Sequence, residues 1–174
     1  MKERPHSGAP FADAASIARP PDDERFMREA FEEGRLAADH GDVPIGAAIV
    51  RDGAVVARAG NRREVDADPT AHAEVLAIRE AARALGRWRL SDCALYVTVE
   101  PCAMCAGAAV LARIPLVVFG APDEKAGAVR SKMELLDATW MNHHPRWRYY
   151  PQFRDEVERL LSDFFATQRK SDPP

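Results

Sequence analysis

The sequence predicts a single α/β domain in which a partly parallel sheet lies between helices, and three observations carry that reading. Two short apolar runs, "IGAAIV" and "AVVARAG", flank "RDG", an Asp-Gly hairpin signal that pairs them as antiparallel strands. Farther on, "ALYVTV", "CAMCAGAAVLARI" and "PLVVFGA" read as strand, helix, strand, the order that makes a sheet partly parallel. Helical periodicity both precedes and follows this unit.

The elements follow in order. From Asp22 onward Phe26, Ala30, Phe31 and Leu36 recur near every 3.6 residues until "DHGDVP" breaks the pattern, which makes a first helix before the hairpin. "TAHAEVLAIREAARAL", residues 70–85, is the second helix, with Val75, Leu76, Ile78 and Leu85 as its core-packing body. In "MNHHPRWRYYPQF" a strand can run through "RWRYY", where Arg146 and Arg148 alternate with Trp147 and Tyr149; basic residues interleaved with aromatics are also what a nucleic-acid surface uses. The segment "PQFRDEVERLLSDFFATQRK" closes the domain as a helix, with Val157, Leu160, Leu161, Phe164 and Phe165 at helical spacing. Residues 1–22 are rich in Pro, Ala and charge and are expected to be a disordered leader; the domain spans 23–170 and a disordered tail covers 171–174.

Bulk properties narrow the classes. A chain of 174 residues with 47% hydrophobic composition supports one well-buried core. A formal charge of −3 gives no global attraction to nucleic acid or anionic membranes, so phosphate contacts must come from a local basic patch. No apolar stretch approaches the roughly 20 residues of a membrane span, and the N-terminal stretch lacks the apolar core of a secretory signal, so a cytoplasmic protein is expected. Three cysteines, two of them in C-x-x-C, argue for metal or redox chemistry over a disulfide framework.

Cys102 and Cys105 lie in "EPCAMC", where Pro101 suits the first position of a helix. The positive end of a helix dipole favours thiolates and therefore a cation such as zinc, although a redox pair or two buried cysteines would read the same way. His72 follows "DPT", another helix-start signature, and a surface histidine is its plain alternative. Residues two apart on a helix face nearly opposite sides, so His72 and Glu74 share a site only if it lies off the helix end. One imidazole and two thiolates make three zinc ligands, leaving the fourth position to water, whose pKa zinc lowers to around 7. Glu74, an exposed helix glutamate if taken alone, then has work as base and afterwards acid. Cys93 reads as a small core residue at a strand entrance, and His143 and His144 as surface or RNA-facing groups.

The pair "HAE" and "PCAMC" resembles the H-x-E…P-C-x-x-C signature of zinc-dependent nucleobase deaminases. "NRREVDADPTAHAEVLAIREA", "LYVTVEPCAMCAGAAVLARIPLVVFGAPDEKAGA" and "LLSDFF" further resemble bacterial tRNA adenosine deaminases over most of residues 22–170. That resemblance implies a cytidine-deaminase-like three-layer α/β/α sandwich with a central mixed five-stranded sheet. It implies a homodimer, both chains contributing to the active-site region, and conversion of adenosine to inosine at the wobble position (34) of an arginine tRNA anticodon stem-loop. One zinc per subunit would be held by His72, Cys102 and Cys105, with Glu74 moving protons; Asn61 would contact the flipped nucleotide, Asp123 and Lys125 would lie near the anticodon loop, and Phe164, with Phe165, would touch flanking bases. The Arg- and aromatic-rich segment, Pro122 and the leader depart from the family pattern. A deaminase of free guanine or cytosine, and a nucleic-acid-binding module with purely structural zinc and a fourth protein ligand, stand as alternatives; acceptance of single-stranded DNA is left open.

Overall fold

In the computed structural model, which describes residues 23–171, five strands form one mixed sheet in the order β2-β1-β3-β4-β5. The strands are β1 (Gly46–Arg51), β2 (Ala54–Gly60), β3 (Cys93–Val99), β4 (Leu116–Ala121) and β5 (Arg146–Tyr149). β1 runs antiparallel to both β2 and β3, whereas β3, β4 and β5 are parallel. The four helices are α1 (Asp23–Asp39), α2 (Ala73–Ala84), α3 (Ala103–Leu111) and α4 (Arg154–Ser171). The expected mixed five-stranded α/β architecture is therefore the observed one. The expected leader lies outside the described residues, and Ser171 belongs to α4.

Strand alternation sorts the core into two layers. Ile49, Leu95, Val97, Val117 and Phe119 face α2 and α3; Val50, Ala94, Tyr96 and Val118 face α1 and the start of α4. The body of α2 corrects the sequence reading: its buried face is Ala73, Ala77, Ile78 and Ala81, with Val75, Leu76 and Leu85 only half-buried. Alanine brings the helix axis close to the sheet, and the larger side chains flank the contact. Likewise α1 buries Phe26, Met27, Ala30, Gly34 and Ala37, while Leu36 is exposed.

The hairpin turn is made as predicted, with Asp52 and Gly53 at φ 50° and 74°, the left-handed pair that a two-residue loop of this twist requires. Gly46 and Gly60 stand opposite each other in register at the other end of the hairpin. A Cβ on Gly46 would lie 2.0 Å from the Ala30 carbonyl oxygen, and one on Gly60 would lie 2.4 Å from that of Glu33. Backbone against backbone, α1 thus rests on the hairpin at these two positions.

α3 ends in a Schellman motif: Ile114 N–H donates to the Ala109 carbonyl and Arg113 N–H to that of Val110. Arg113 occupies its left-handed position at φ 63°, a conformation that costs a non-glycine residue about 1–2 kcal/mol. The "RWRYY" segment forms β5, the edge strand. Trp147 and Tyr149 pack on Phe119, with ring centroids 6.1 and 5.6 Å away, and Arg148 turns to the other face to pair with buried Asp23, which also accepts from Tyr96 Oη at 2.7 Å.

Candidate active site

One end of the sheet gathers the chemistry. β1 begins there, and β2, β3 and β4 end there, so the segments after β2, β3 and β4 meet at the carboxyl ends of the parallel strands, the usual place for a site in α/β sheets.

His72 is the N-cap of α2 and Cys102 the N-cap of α3, both in extended backbone and neither spending its side chain on the cap. Their carbonyls open the helices instead, accepting from Leu76 and Ala106. Pro101 accordingly precedes the cap, where the sequence reading had put it one position inside the helix. Cys105 follows in the first turn of α3 and is buried.

The three donor atoms lie within 4.8 Å of one another. Cys102 Sγ is 3.7 Å and Cys105 Sγ 3.5 Å from His72 Nδ1. Bond lengths of about 2.3 Å to sulfur and 2.0–2.1 Å to nitrogen give a tetrahedral zinc an S···N edge of roughly 3.6 Å, so the donors have the chemistry and spacing that zinc demands. Hydrogen bonding from Cys105, and then from His72, pulls the Cys102 thiol down to about 4, while the Cys105 thiol is pushed up by that same bond and by burial. The bond to Cys102 raises the His72 imidazole above its usual value. No other trio of His, Cys, Asp or Glu among the described residues has this closeness.

Glu74, in the first turn of α2, is 4% exposed, and desolvation pushes its carboxyl up to about 7. Far from being an exposed helix glutamate, it is a buried carboxyl whose titration is shifted close to neutrality. Asn61 directly follows β2, anchored by its own N–H to the Ile45 carbonyl at 2.9 Å. It is 3% exposed, and no hydrogen bond engages its side-chain amide among the described residues.

The sequence reading passed over Glu100. It is 2% exposed and directly follows β3, two residues before Cys102. Oε1 accepts from the N–H groups of Val129, Arg130 and Ser131 at 3.0, 2.7 and 2.9 Å, and Oε2 from Asp123 N–H at 3.2 Å and from the Ser131 hydroxyl. Burial pushes its carboxyl up, but these donors, Ser131 first, outweigh it and hold it below the usual range. The 123–131 loop is thereby tied to the strand that delivers Cys102, and Ala128 N–H adds a bond to the Pro101 carbonyl. A charged residue directly after a strand without any charge was the available signal.

The remaining expected site residues are more peripheral. Asp123 Oδ1 accepts from the N–H groups of Lys125 and Ala126, shaping the turn on which Lys125 is exposed. Phe164 is half-buried edge-on to Phe165, centroids 5.4 Å apart, and belongs to neither core layer. Cys93 is fully buried at the start of β3. His143 and His144 are engaged with backbone carbonyls, those of Ile114 at 2.8 Å and Leu136 at 3.2 Å, and so pin the approach to β5 in place of facing outward freely.

A family model for MafB19-like deaminases matches residues 21–169. The tRNA-specific adenosine deaminase of Aquifex aeolicus is 47% identical over 148 residues, covering 85% of this chain and 97% of that protein. A solved structure from work on A-to-I editing by tRNA:A34 deaminases at the wobble position superposes with a TM-score of 0.76 at 43% identity, covering 79% of this chain and 99% of the other. The guanine deaminase of Bacillus subtilis is more distant, with a TM-score of 0.56 at 33% identity over 84% of this chain and 93% of its own.

Proposed function

The chain belongs to the MafB19-like deaminases and to the tRNA-specific adenosine deaminases, and we propose that it hydrolyses adenosine to inosine at wobble position 34 of a tRNA, with an arginine tRNA as the expected substrate. The observation that carries this reading is a buried carboxyl, Glu74, poised near neutrality beside a three-donor set that leaves a tetrahedral metal one open position. A structural zinc module would need a fourth protein ligand, and the described residues bring none into the cluster.

His72, Cys102 and Cys105 would hold one zinc ion, which when bound supplies the Lewis acidity that readies water for attack near neutral pH. Glu74 takes one proton from the attacking water and delivers it to N1 of the adenine, then takes the remaining proton from the new hydroxyl on C6 and passes it to the amino group, so that the C6–N bond breaks, ammonia leaves and the C6 carbonyl of inosine forms. Asn61 is largely buried and its amide is uncommitted among the described residues, which suits it to orienting a base without adding charge. Asp123 shapes the turn that presents Lys125 toward the anticodon loop, and the Phe164–Phe165 pair offers aromatic faces for flanking bases.

A homodimer fits the surface of α3. The helix is apolar nearly all round, and Leu111 is 70% exposed with Met104 outward as well, surface that a second copy would cover. Among the described residues no helix is long and apolar enough to cross a membrane.

The test pairs inosine formation in an anticodon stem-loop, in RNA and in DNA form, with ammonia release from free guanine, cytosine and adenine. Inosine in the RNA stem-loop is expected; turnover of free bases alone would overturn the reading.

A further inference from the structure

The opposite end of the sheet carries a second cationic feature. Arg89 and Ser91 precede β3, Arg113 and Pro115 precede β4, and Asn142 and His143 precede β5; together they line a cleft of about 310 Å³. At about 3.3 Å per residue, the seven-residue β3 separates this cleft from Cys102 by roughly 20 Å.

Three observations taken together recommend it as an anion-binding surface; the first is shared with Arg63, Arg79, Arg130 and Arg146, which also have no carboxylate within ion-pair distance among the described residues. First, its guanidinium groups are uncompensated. Arg58, Arg62 and Arg83, along β2 and α2, each pair with a carboxylate, and so do Arg51 and Arg87, which share Asp92 beside the cleft. Arg89 and Arg113 have no carboxylate within ion-pair distance among the described residues; Arg113 bonds only the neutral Asn142.

Second, Arg113 stands in the left-handed position of the Schellman motif, where glycine is the default, so the backbone accepts strain to place a guanidinium there. Third, Arg89 lies 4.4 Å over the ring of Trp88, which is 57% exposed, giving a flat aromatic surface next to the charge.

We infer that this cleft is a second RNA contact: Arg89 and Arg113 clasp backbone phosphates of the substrate beyond the anticodon loop, with Trp88 as the adjoining stacking surface. Guanidinium forks match phosphate oxygens bidentately, and two cations without counter-charges in a chain of net charge −3 are the local basic patch that phosphate binding needs. This inference rests on the tRNA reading above, because it names the same substrate.

The experiment measures binding of full-length tRNA and of a seven-nucleotide anticodon loop to the wild-type dimer or monomer and to the double variant Arg89→Ala with Arg113→Gly. Glycine relaxes the left-handed position, so the variant should melt at or near the wild-type temperature; should it melt much lower, Arg89→Glu alone, on an exposed side chain, carries the test.

Expected results are about a tenfold weaker affinity for full-length tRNA, a flattening of log K against log salt by about two units for two lost phosphate contacts, and unchanged binding of the loop. Unchanged affinity and salt slope for full-length tRNA overturn the inference, as does an equal loss on the loop. Stabilisation of wild type but not variant by inorganic phosphate, without any effect on tRNA binding, also overturns it, pointing to a free-phosphate site. If wild type forms no inosine on any tRNA while the double variant still loses tRNA affinity, the catalytic reading falls and the cleft stands.

Discussion

The Glu100 carboxylate and the Gly127 backbone are packed so closely that a Cβ on Gly127 would lie 2.5 Å from Glu100 Cδ and 2.6 Å from the Asp123 carbonyl. Only a residue without a side chain lets the 123–131 loop wrap this carboxylate, and the wrapping brings Gly127 into a β-bridge with Cys102. Glu100→Gln should therefore cost stability, because an amide would turn donors toward backbone N–H groups that have no other acceptor. At about 1–3 kcal/mol for each buried group left unsatisfied, a loss of about 3 kcal/mol is expected in urea unfolding. A loss below about 1 kcal/mol would show the clamp to be dispensable.

Glu74→Gln keeps the shape and removes the proton carrier. Inosine formation should fall by at least about 10³-fold, the upper part of the range for general acid–base catalysis, since one group serves both transfers. Zinc content by atomic emission should stay at the wild-type ratio, and the melting temperature should not drop, because the native carboxyl is desolvated. Turnover within tenfold of wild type would refute the role.

Asn61→Ala removes an amide that no group among the described residues engages, so the fold should tolerate it. A base contact worth about 1–2 kcal/mol predicts a fall of about 5- to 30-fold in kcat/KM on the stem-loop, with little change in unfolding midpoint. A stability loss with unchanged kinetics would make Asn61 a turn residue only.

Asp92 gives a pH dependence of stability. Burial pushes its carboxyl up, but hydrogen bonds from Arg87, at 2.5 and 2.7 Å, and the charge of Arg51 outweigh this and hold it below the usual range. A folded pKa below the unfolded value of about 3.9 contributes stability that is present above that pH and is lost as pH falls through the folded value. The melting temperature of wild type should thus decline more steeply below pH 4 than that of Asp92→Asn. Parallel curves would dismiss the pair.

Gly46→Ala should be among the most damaging single-methyl additions, since the new carbon would sit 2.0 Å from the Ala30 carbonyl and 2.3 Å from Gly34 nitrogen, both backbone. Separating α1 from the hairpin would cost about 3 kcal/mol or more, beyond the ordinary overpacking range. Chemical denaturation that registers less than about 1 kcal/mol would mean α1 can shift freely.

The elements were legible because their signals are local. Asp-Gly marked the hairpin, period 3.6 marked α1 and α4, and the run from "ALYVTV" to "PLVVFGA" marked the parallel unit, each within a few residues of its observed bounds. His72, Glu74, Cys102 and Cys105 were legible for the same reason, as residues at helix starts. Glu100 was not, because the donors that give it meaning lie 23 to 31 residues downstream and no periodicity connects them. Nor could sequence distinguish an RNA-facing "RWRYY" from an edge strand: the choice depends on Phe119 and Asp23, which receive Trp147, Tyr149 and Arg148 from distant parts of the chain.

His72 and Cys102 are thirty residues apart, on caps of helices that β3 separates, and Cys105 lies three further on. During synthesis, then, no nascent chain that ends before Cys105 can present the complete donor set, and β3 must already be seated between its neighbours before the two caps face each other. A metal ion held by all three donors would therefore be out of reach of any chain in which β3 and the first turn of α3 had yet to be made.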